Sequence, residues 1–489
     1  MSGTALDPRT APTFPMAAKA MLGDTQLRKN VRHATDVIQA KRARVVGEMP
    51  DWQELREAGR QIRQHTMEHL DFYLEEFEAN CTRAGGVVHW AKDAEEARQI
   101  IVRLVKSSGA DEVIKIKSMT TEEIQLNSAL EAAGIHPYET DLAELIIQLG
   151  QDQPSHIVVP ALHKNRQQIR EIFQRTMNLP ELGERPQDLA DAARMFLREK
   201  FLRVKTGVSG ANFLIAETGG VCVVESEGNG RMCLTLPETL ITVAGIDKVV
   251  PRFADLEVLL QLLPRSATGE RMNPYNSIWT GVHERDGVFD GPKAFHVVLM
   301  DNARTEILAD EEGRQTLNCI RCGACQNACP VYRQTGGHAY GSVYAGPIGA
   351  ILTPQLQEMH HAQSLPYASS LCGACYEVCP VKINIPEVLI HLRNRVVKQN
   401  TAGVAGFFDV EAGAMKAMGM IFKSERRFRA AQRLGRMAET PLVRKDGQGV
   451  GWIGWLPGML GGWTQVRDLQ EMPKETFRDW WETRGKDGR

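Results

Sequence analysis

Between residues 84 and 305 short apolar runs recur at regular intervals, separated by amphipathic stretches. Gly86–Trp90, Glu112–Ile116 and His156–Pro160 have the length and composition of strands, as do 212–217, 221–225, 239–250 and Phe295–Met300. Apolar residues at helical spacing predict helices over 94–105, 120–133, 165–177, 187–203 and 253–263. This alternation predicts an α/β domain over 84–305, with a mainly parallel sheet wrapped by helices. Ahead of it, Gln26 to about Arg83 reads as charged helix, with a new start at Trp52 after Pro50-Asp51, while 1–25, rich in Pro, Ala and Thr, predicts disorder. After 305 the pattern gives way to Cys, Gly and short helices, and beyond 395 it is helical and basic, then rich in Gly and Trp. The expected division is therefore 1–83 (tail and helices), 84–305 (α/β), 306–395 (cysteine-bearing, helical) and 396–489 (C-terminal).

Seven of the ten cysteines fall in two runs: Cys319-x2-Cys322-x2-Cys325-x3-Cys329-Pro330 and Cys372-x2-Cys375-x3-Cys379-Pro380. Zinc sites pair CxxC units, whereas the first run has the spacing with which bacterial ferredoxins hold iron–sulfur cubanes, soft thiolates taking iron. In that pattern the fourth cysteine crosses to the other cluster. Cys319, Cys322, Cys325 and Cys379 then make one [4Fe–4S] site, and Cys329, Cys372 and Cys375 a second that is one thiolate short. Ser369 stands where the missing cysteine would be, so that iron has a serine or solvent ligand, is absent from a three-iron centre, or takes a ligand from a partner. The long separation of the runs suits a helical ferredoxin module. His338, His360 and His361 lie between them and read first as packing or surface residues.

Net charge is −2, with 43% apolar and 24% charged residues, so no global field favours nucleic acid. No targeting segment or bilayer-length apolar run is read, which with the tight cysteine spacing predicts a cytoplasmic protein with reduced thiols. Cys81, Cys222 and Cys233 read as buried structural thiols. Glu217 reads first as a turn or capping carboxylate and second as a transferase-like one, Lys115 and Lys117 first as a solvated strand edge and second as holders of an anionic substrate, and Thr218-Gly219-Gly220 and Glu227-Gly228-Asn229-Gly230 first as hairpin turns. No dinucleotide fingerprint or P-loop is present. Residues 416–445 are basic and amphipathic, open to peripheral contact with an anionic membrane or a partner, though a solvated face is the first reading. Trp452, Trp455, Trp463, Trp480 and Trp481 follow and suit an interface or a small local core.

The cysteine segment with Gly337-His338-Ala339-Tyr340-Gly341 and Pro366-Tyr367-Ala368-Ser369-Ser370-Leu371 resembles the lactate-utilisation iron–sulfur protein family of LutB type. Upstream, Lys117-Ser118-Met119-Thr120, Glu139-Thr140-Asp141-Leu142, Gly210-Ala211-Asn212-Phe213, Ala216-Glu217-Thr218-Gly219 and Glu227-Gly228-Asn229-Gly230-Arg231 are similar to that family's other domain. The resemblance implies two iron–sulfur clusters in an electron-transfer subunit of L-lactate oxidation to pyruvate, working with two partner proteins. It also implies an α/β fold like that of CoA transferases and sugar-phosphate isomerases. Two other classes stay open: an iron–sulfur hydro-lyase using the three-cysteine cluster as Lewis acid, and a redox-sensing regulator.

Overall fold

Six short runs, all but the last holding β-branched residues, line up in parallel as one sheet, in the order Val87–Ala91, Ala294–Met300, Thr239–Gly245, Thr206–Ser209, Glu112–Lys115, His136–Glu139. In this computed structural model, which describes residues 7–402, 410–465 and 467–484, the central strands are buried on both faces. A parallel sheet must be covered on both sides, and it is. Ala94–Ser107, started by the Asp93 side chain accepting from the Glu96 amide, lies with Leu126–Ala132 over one core. Leu70–Arg83, Leu142–Gly150, Arg166–Thr176 and Pro186–Arg203 contribute to the other. A smaller sheet of Val249–Val250, Phe213–Ile215, Gly220–Glu225 and Tyr275–Trp279 sits beside the first.

The cysteine-bearing segment is not a separate lobe. Phe213, Ile215 and Leu259 of the α/β part share one core with Cys322, Cys375, Cys379 and Leu389, and everything to Val396 forms one compact unit. The Trp52–Glu68 helix joins the two parts. It approaches the Phe253–Ala267 helix so closely at Gly59 that a Cβ there would meet Leu262 Cδ1 at 2.4 Å.

Several expectations need correction. His156–Pro160 is a loop, because His156 Nδ1 accepts the amides of Val158 and Val159, both at 3.0 Å, and curls the chain away from a strand. The 120–133 helix breaks at Gln125, whose φ of 51° is left-handed. Residues 7–25 are not structureless: Phe14–Met21 is a helix, its Phe14 ring 4.9 Å from that of Tyr340, and residues 1–6 lie outside the described residues. Glu227–Gly230 leads into the Asn229–Thr235 helix rather than turning a hairpin, while Thr218–Gly220 does join antiparallel strands. His136–Glu139, Thr206–Ser209 and Tyr275–Trp279 are strands the pattern did not reveal.

The second unit, from Val397, contains the helices Val410–Phe422 and Glu425–Glu439, a three-stranded antiparallel sheet and Phe477–Arg484. No residue of the basic Glu425–Glu439 helix is buried, and the five tryptophans here are 37–64% exposed. No helix among the described residues is long and apolar enough to cross a membrane.

Candidate metal centre

Each cysteine run makes the same local structure. Arg321 and Leu371, at φ 60° and 55°, are followed by Cys and then by Gly323 and Gly373 at φ 73° and 83°. Two left-handed residues around one cysteine curl the chain, and the short helices Ala324–Ala328 and Ala374–Val378 leave from the curl. These helices pack together, which brings the runs side by side.

Cys319, Cys322, Cys325 and Cys379 line one small cavity with Ile348, Pro380 and Val381. Cys329, Cys372 and Cys375 form a second set, each close enough to perturb another's charge. Four of the thiols thus share one cavity, and Cys325 of that set also feels the charge of Cys375 in the other, so the two sets adjoin. No cysteine is in a disulfide.

The first set has the chemistry of a cluster site. Burial, and then Cys319 and Cys379 beside it, push the Cys322 thiol far up; burial likewise raises Cys325, and takes Cys379 to about 11. Thiols so placed do not ionise together unless cations bridge them, and iron is a cation suited to sulfur. Backbone amides point at the sulfurs: Arg321 N to Cys319 Sγ at 3.3 Å, Ile383 N to Cys379 Sγ at 3.3 Å, and Tyr332 N to Cys329 Sγ at 3.5 Å. Such donors stabilise thiolate and tune cluster potential.

Buried cations, with the half-buried Arg42, surround this set in excess. Arg56 donates to the carbonyls of Cys379 (2.9 Å) and Tyr376 (3.1 Å), and Arg42 to that of Val378 (3.1 Å). Arg63 donates to Val249 O (2.7 Å), Leu317 O (3.1 Å) and Asp247 O, and Lys248 and Arg321 are also buried. Against them stand Asp247 and Glu123, both bound to Arg304 at 2.6 and 2.9 Å. Burial works against ionisation of Asp247, but Arg304 and Arg321 hold its carboxyl well below the usual range. A cubane with four thiolates carries net negative charge, which this positive surplus matches.

The second set is more open. Cys372 is exposed, with Tyr367, Leu371 and Tyr376 at 36–48% around it. Ser369 occupies the position in this turn that Cys319 holds in the first: the Leu371 amide donates to Ser369 Oγ at 3.1 Å, as that of Arg321 does to Cys319 Sγ.

The remaining candidates lie elsewhere. His338 pairs with the Gln153 carbonyl (2.9 Å), and His360 is exposed next to Glu358, with the His361 ring tilted against it at 3.7 Å. Glu217 accepts from the Phe253 amide at 2.9 Å, a helix cap. Lys115 is not on a solvated edge: it is fully buried between Glu139 (2.5 Å) and Glu122 (3.1 Å). Lys117 reaches the Val158 carbonyl at 3.1 Å. Cys81, Cys222 and Cys233 are buried, raised by that burial to about 11, 12 and 12. Sequence reasoning missed Arg63, Lys248 and Arg321, although Asp247-Lys248 interrupts an apolar run and Arg321 sits inside the motif itself.

Known proteins share this layout. The LUD domain family matches residues 74–300, a 4Fe-4S dicluster domain 315–383, and the C-terminal domain of lactate utilisation protein B 392–486. Lactate utilization protein B 1 of Bacillus mycoides is 44% identical over 469 residues, 95% of both chains. Lactate utilization protein B of Bacillus subtilis is 44% identical over 94% of this chain and 93% of its own, and that of Geobacillus kaustophilus 45% over 92% of each. A crystal structure of a DUF162 family protein from Deinococcus radiodurans, 15% identical, covers 47% of this chain and 98% of its own at a TM-score of 0.25, too slight a likeness to speak for the fold.

Proposed function

The chain belongs to the lactate utilisation protein B family, and on that premise we propose that it is an iron–sulfur electron-transfer subunit in the oxidation of L-lactate to pyruvate. Cys319, Cys322, Cys325 and Cys379 hold one [4Fe–4S] cluster; Cys329, Cys372 and Cys375 hold the second, with Ser369 as candidate fourth ligand. The observation that carries the reading is the crossing of the two runs, which yields two adjacent thiol sets joined by packed helices. Bound clusters supply one-electron storage at each site. The chain's own part is to fix the thiolates, donate amide hydrogen bonds to them, and offset their charge with Arg42, Arg56, Arg63, Lys248 and Arg321. A hydro-lyase needs one open cluster and no wire, so the paired sets favour relay.

Two partner proteins complete the proposed system, in the cytoplasm, with contact to the inner membrane face open to the basic C-terminal unit. A fold like that of CoA transferases and sugar-phosphate isomerases is part of the same proposal, and the parallel sheet supports it. The test is anaerobic: L-lactate is added to the chain copurified with its native partners, and cluster absorbance is followed. Relay requires bleaching that an electron acceptor reverses. Clusters that stay oxidised in a mixture still converting lactate would refute it.

A further inference from the structure

The segment His65-Thr66-Met67-Glu68-His69 puts two imidazoles four positions apart with a carboxylate between them, and none of the three belongs to the thiol sets. Residues i and i+4 of a helix share a face, which is how zinc sites of the H-x-x-E-H type present two histidines to one ion. Here the Trp52–Glu68 helix ends within the segment and the Leu70–Arg83 helix starts directly after it, with His69 as the residue between them. The shared face survives the turn. A ring nitrogen of each histidine and a carboxylate oxygen of Glu68 lie within 4.8 Å of one another, all three side chains are exposed, and the two rings are 4.4 Å apart.

The hydrogen bonds around these groups orient them and leave a lone pair on each. His69 Nδ1 lies 3.0 Å from the His65 carbonyl. A carbonyl only accepts, so Nδ1 carries the proton, and Nε2 keeps its lone pair with no hydrogen bond among the described residues. A backbone carbonyl on the outer nitrogen is what fixes tautomer and ring in metal-binding histidines. His65 Nε2 is 3.0 Å from the Tyr73 hydroxyl, which can accept its proton and leave Nδ1 bare. Gln64 Nε2 donates to Glu68 Oε1 at 2.8 Å, and the other oxygen has no hydrogen-bond partner among the described residues. Arg60, which feels the Glu68 charge, is itself engaged by Glu57 (3.0 Å) and Gln64. Two imidazoles and one carboxylate suit zinc, nickel or copper, whereas magnesium and calcium take oxygen. His65 also borders an open cleft of about 510 Å³ with Tyr73 and Glu76, which gives water room at the remaining positions of such an ion.

We propose that His65, Glu68 and His69 bind one divalent transition-metal ion of the zinc class. The ion fastens the junction between two helices, at the end of the one that carries Arg56 and Arg63 to the cysteine segment. The proposal is independent of the electron-transfer reading.

The test is calorimetric titration of the full, anaerobically prepared chain, its iron–sulfur sites filled, with zinc chloride and with magnesium chloride. Zinc-edge X-ray absorption on the same sample distinguishes nitrogen and oxygen ligands from the sulfur that zinc in a cysteine site would show. One zinc per chain binds with nitrogen and oxygen ligands, and magnesium does not compete. His65→Asn and His69→Asn each weaken zinc binding about tenfold or more, since loss of even an outer-shell partner of a metal ligand costs that much, and iron content is unchanged. Zinc raises the unfolding temperature of the wild type, as a ligand of the folded state must, and does so less for either variant. Absence of zinc binding, sulfur ligands alone, magnesium binding as tightly as zinc, or undiminished affinity in both histidine variants overturns the proposal. Should a histidine variant lose iron, Glu68→Gln decides: weaker zinc binding there upholds the site, and unchanged affinity overturns it.

Discussion

Ser369 and Cys319 hold equivalent places in two matching turns, each with a left-handed residue two positions on whose amide donates to the side chain. An alkoxide is harder than a thiolate and lowers a cluster's potential; an unligated iron is readily lost. Ser369→Cys is therefore expected to stabilise a four-iron cluster at the second site, shift its potential and slow its loss in air, as electron paramagnetic resonance reads, with the first cluster's signal as control. An unchanged second signal, potential and oxygen sensitivity would place Ser369 off the cluster. His156 gives a pH dependence. Burial, and then Lys117, lower it from 6.5 to about 3, so in the folded chain it is neutral, with Nδ1 accepting two amides and Nε2 donating to Asn327 Oδ1 at 3.1 Å. Because the folded value is depressed, its stabilising contribution is full above pH 6.5 and is lost progressively as pH falls toward 3. His156→Gln is expected to cost about 1–3 kcal/mol near neutrality by chemical denaturation, and the gap from wild type should narrow at acid pH. A gap independent of pH contradicts this. At this scale the sequence was legible where chemistry is written in spacing, as in the cysteines. It was silent on His156 and Lys248, because side-chain direction inside an apolar run depends on what packs against it.

Among the elements, the Trp52–Glu68 helix matters most to the site. Its charge-rich pattern predicted a helix correctly, but gave no sign that any of its charges is buried. Arg56 and Arg63 point inward and tie carbonyls of the cysteine segment to those of the α/β part. Arg63→Met leaves three buried carbonyls without that donor and removes a cation beside the first thiol set, an expected loss of about 3 kcal/mol in denaturant unfolding. A loss within about 0.5 kcal/mol, the range of surface substitutions, would show that the arginine is not structural. The strands divide along similar lines. Val87–Ala91 and Ala294–Met300 were legible as apolar runs, whereas His136–Glu139 holds a proline and polar residues and Thr206–Ser209 is only four residues long. Such strands are set by their neighbours in the sheet, which a local pattern does not contain.

For the whole molecule, all seven cysteines of the runs belong to the unit that ends at Val396, which also holds the entire α/β sheet. The composition change after 305 suggested a boundary, yet the cores cross it, since Phe213 and Leu259 pack in one cluster with Cys322 and Cys379. A chain ending at Ala402 is therefore expected to keep its full iron content, and loss of iron on that truncation would show that the C-terminal unit supports the clusters. In the proposed function one body holds two clusters on crossed cysteine runs. This arrangement is tested most directly by iron analysis combined with electron paramagnetic resonance of the dithionite-reduced, anaerobically prepared chain beside its Cys322→Ser variant. Two clusters give about seven or eight irons per wild-type chain and two reduced signals, of which Cys322→Ser removes or alters only one. Zinc in place of iron, about four irons after full reconstitution, or the loss of both signals together would contradict it.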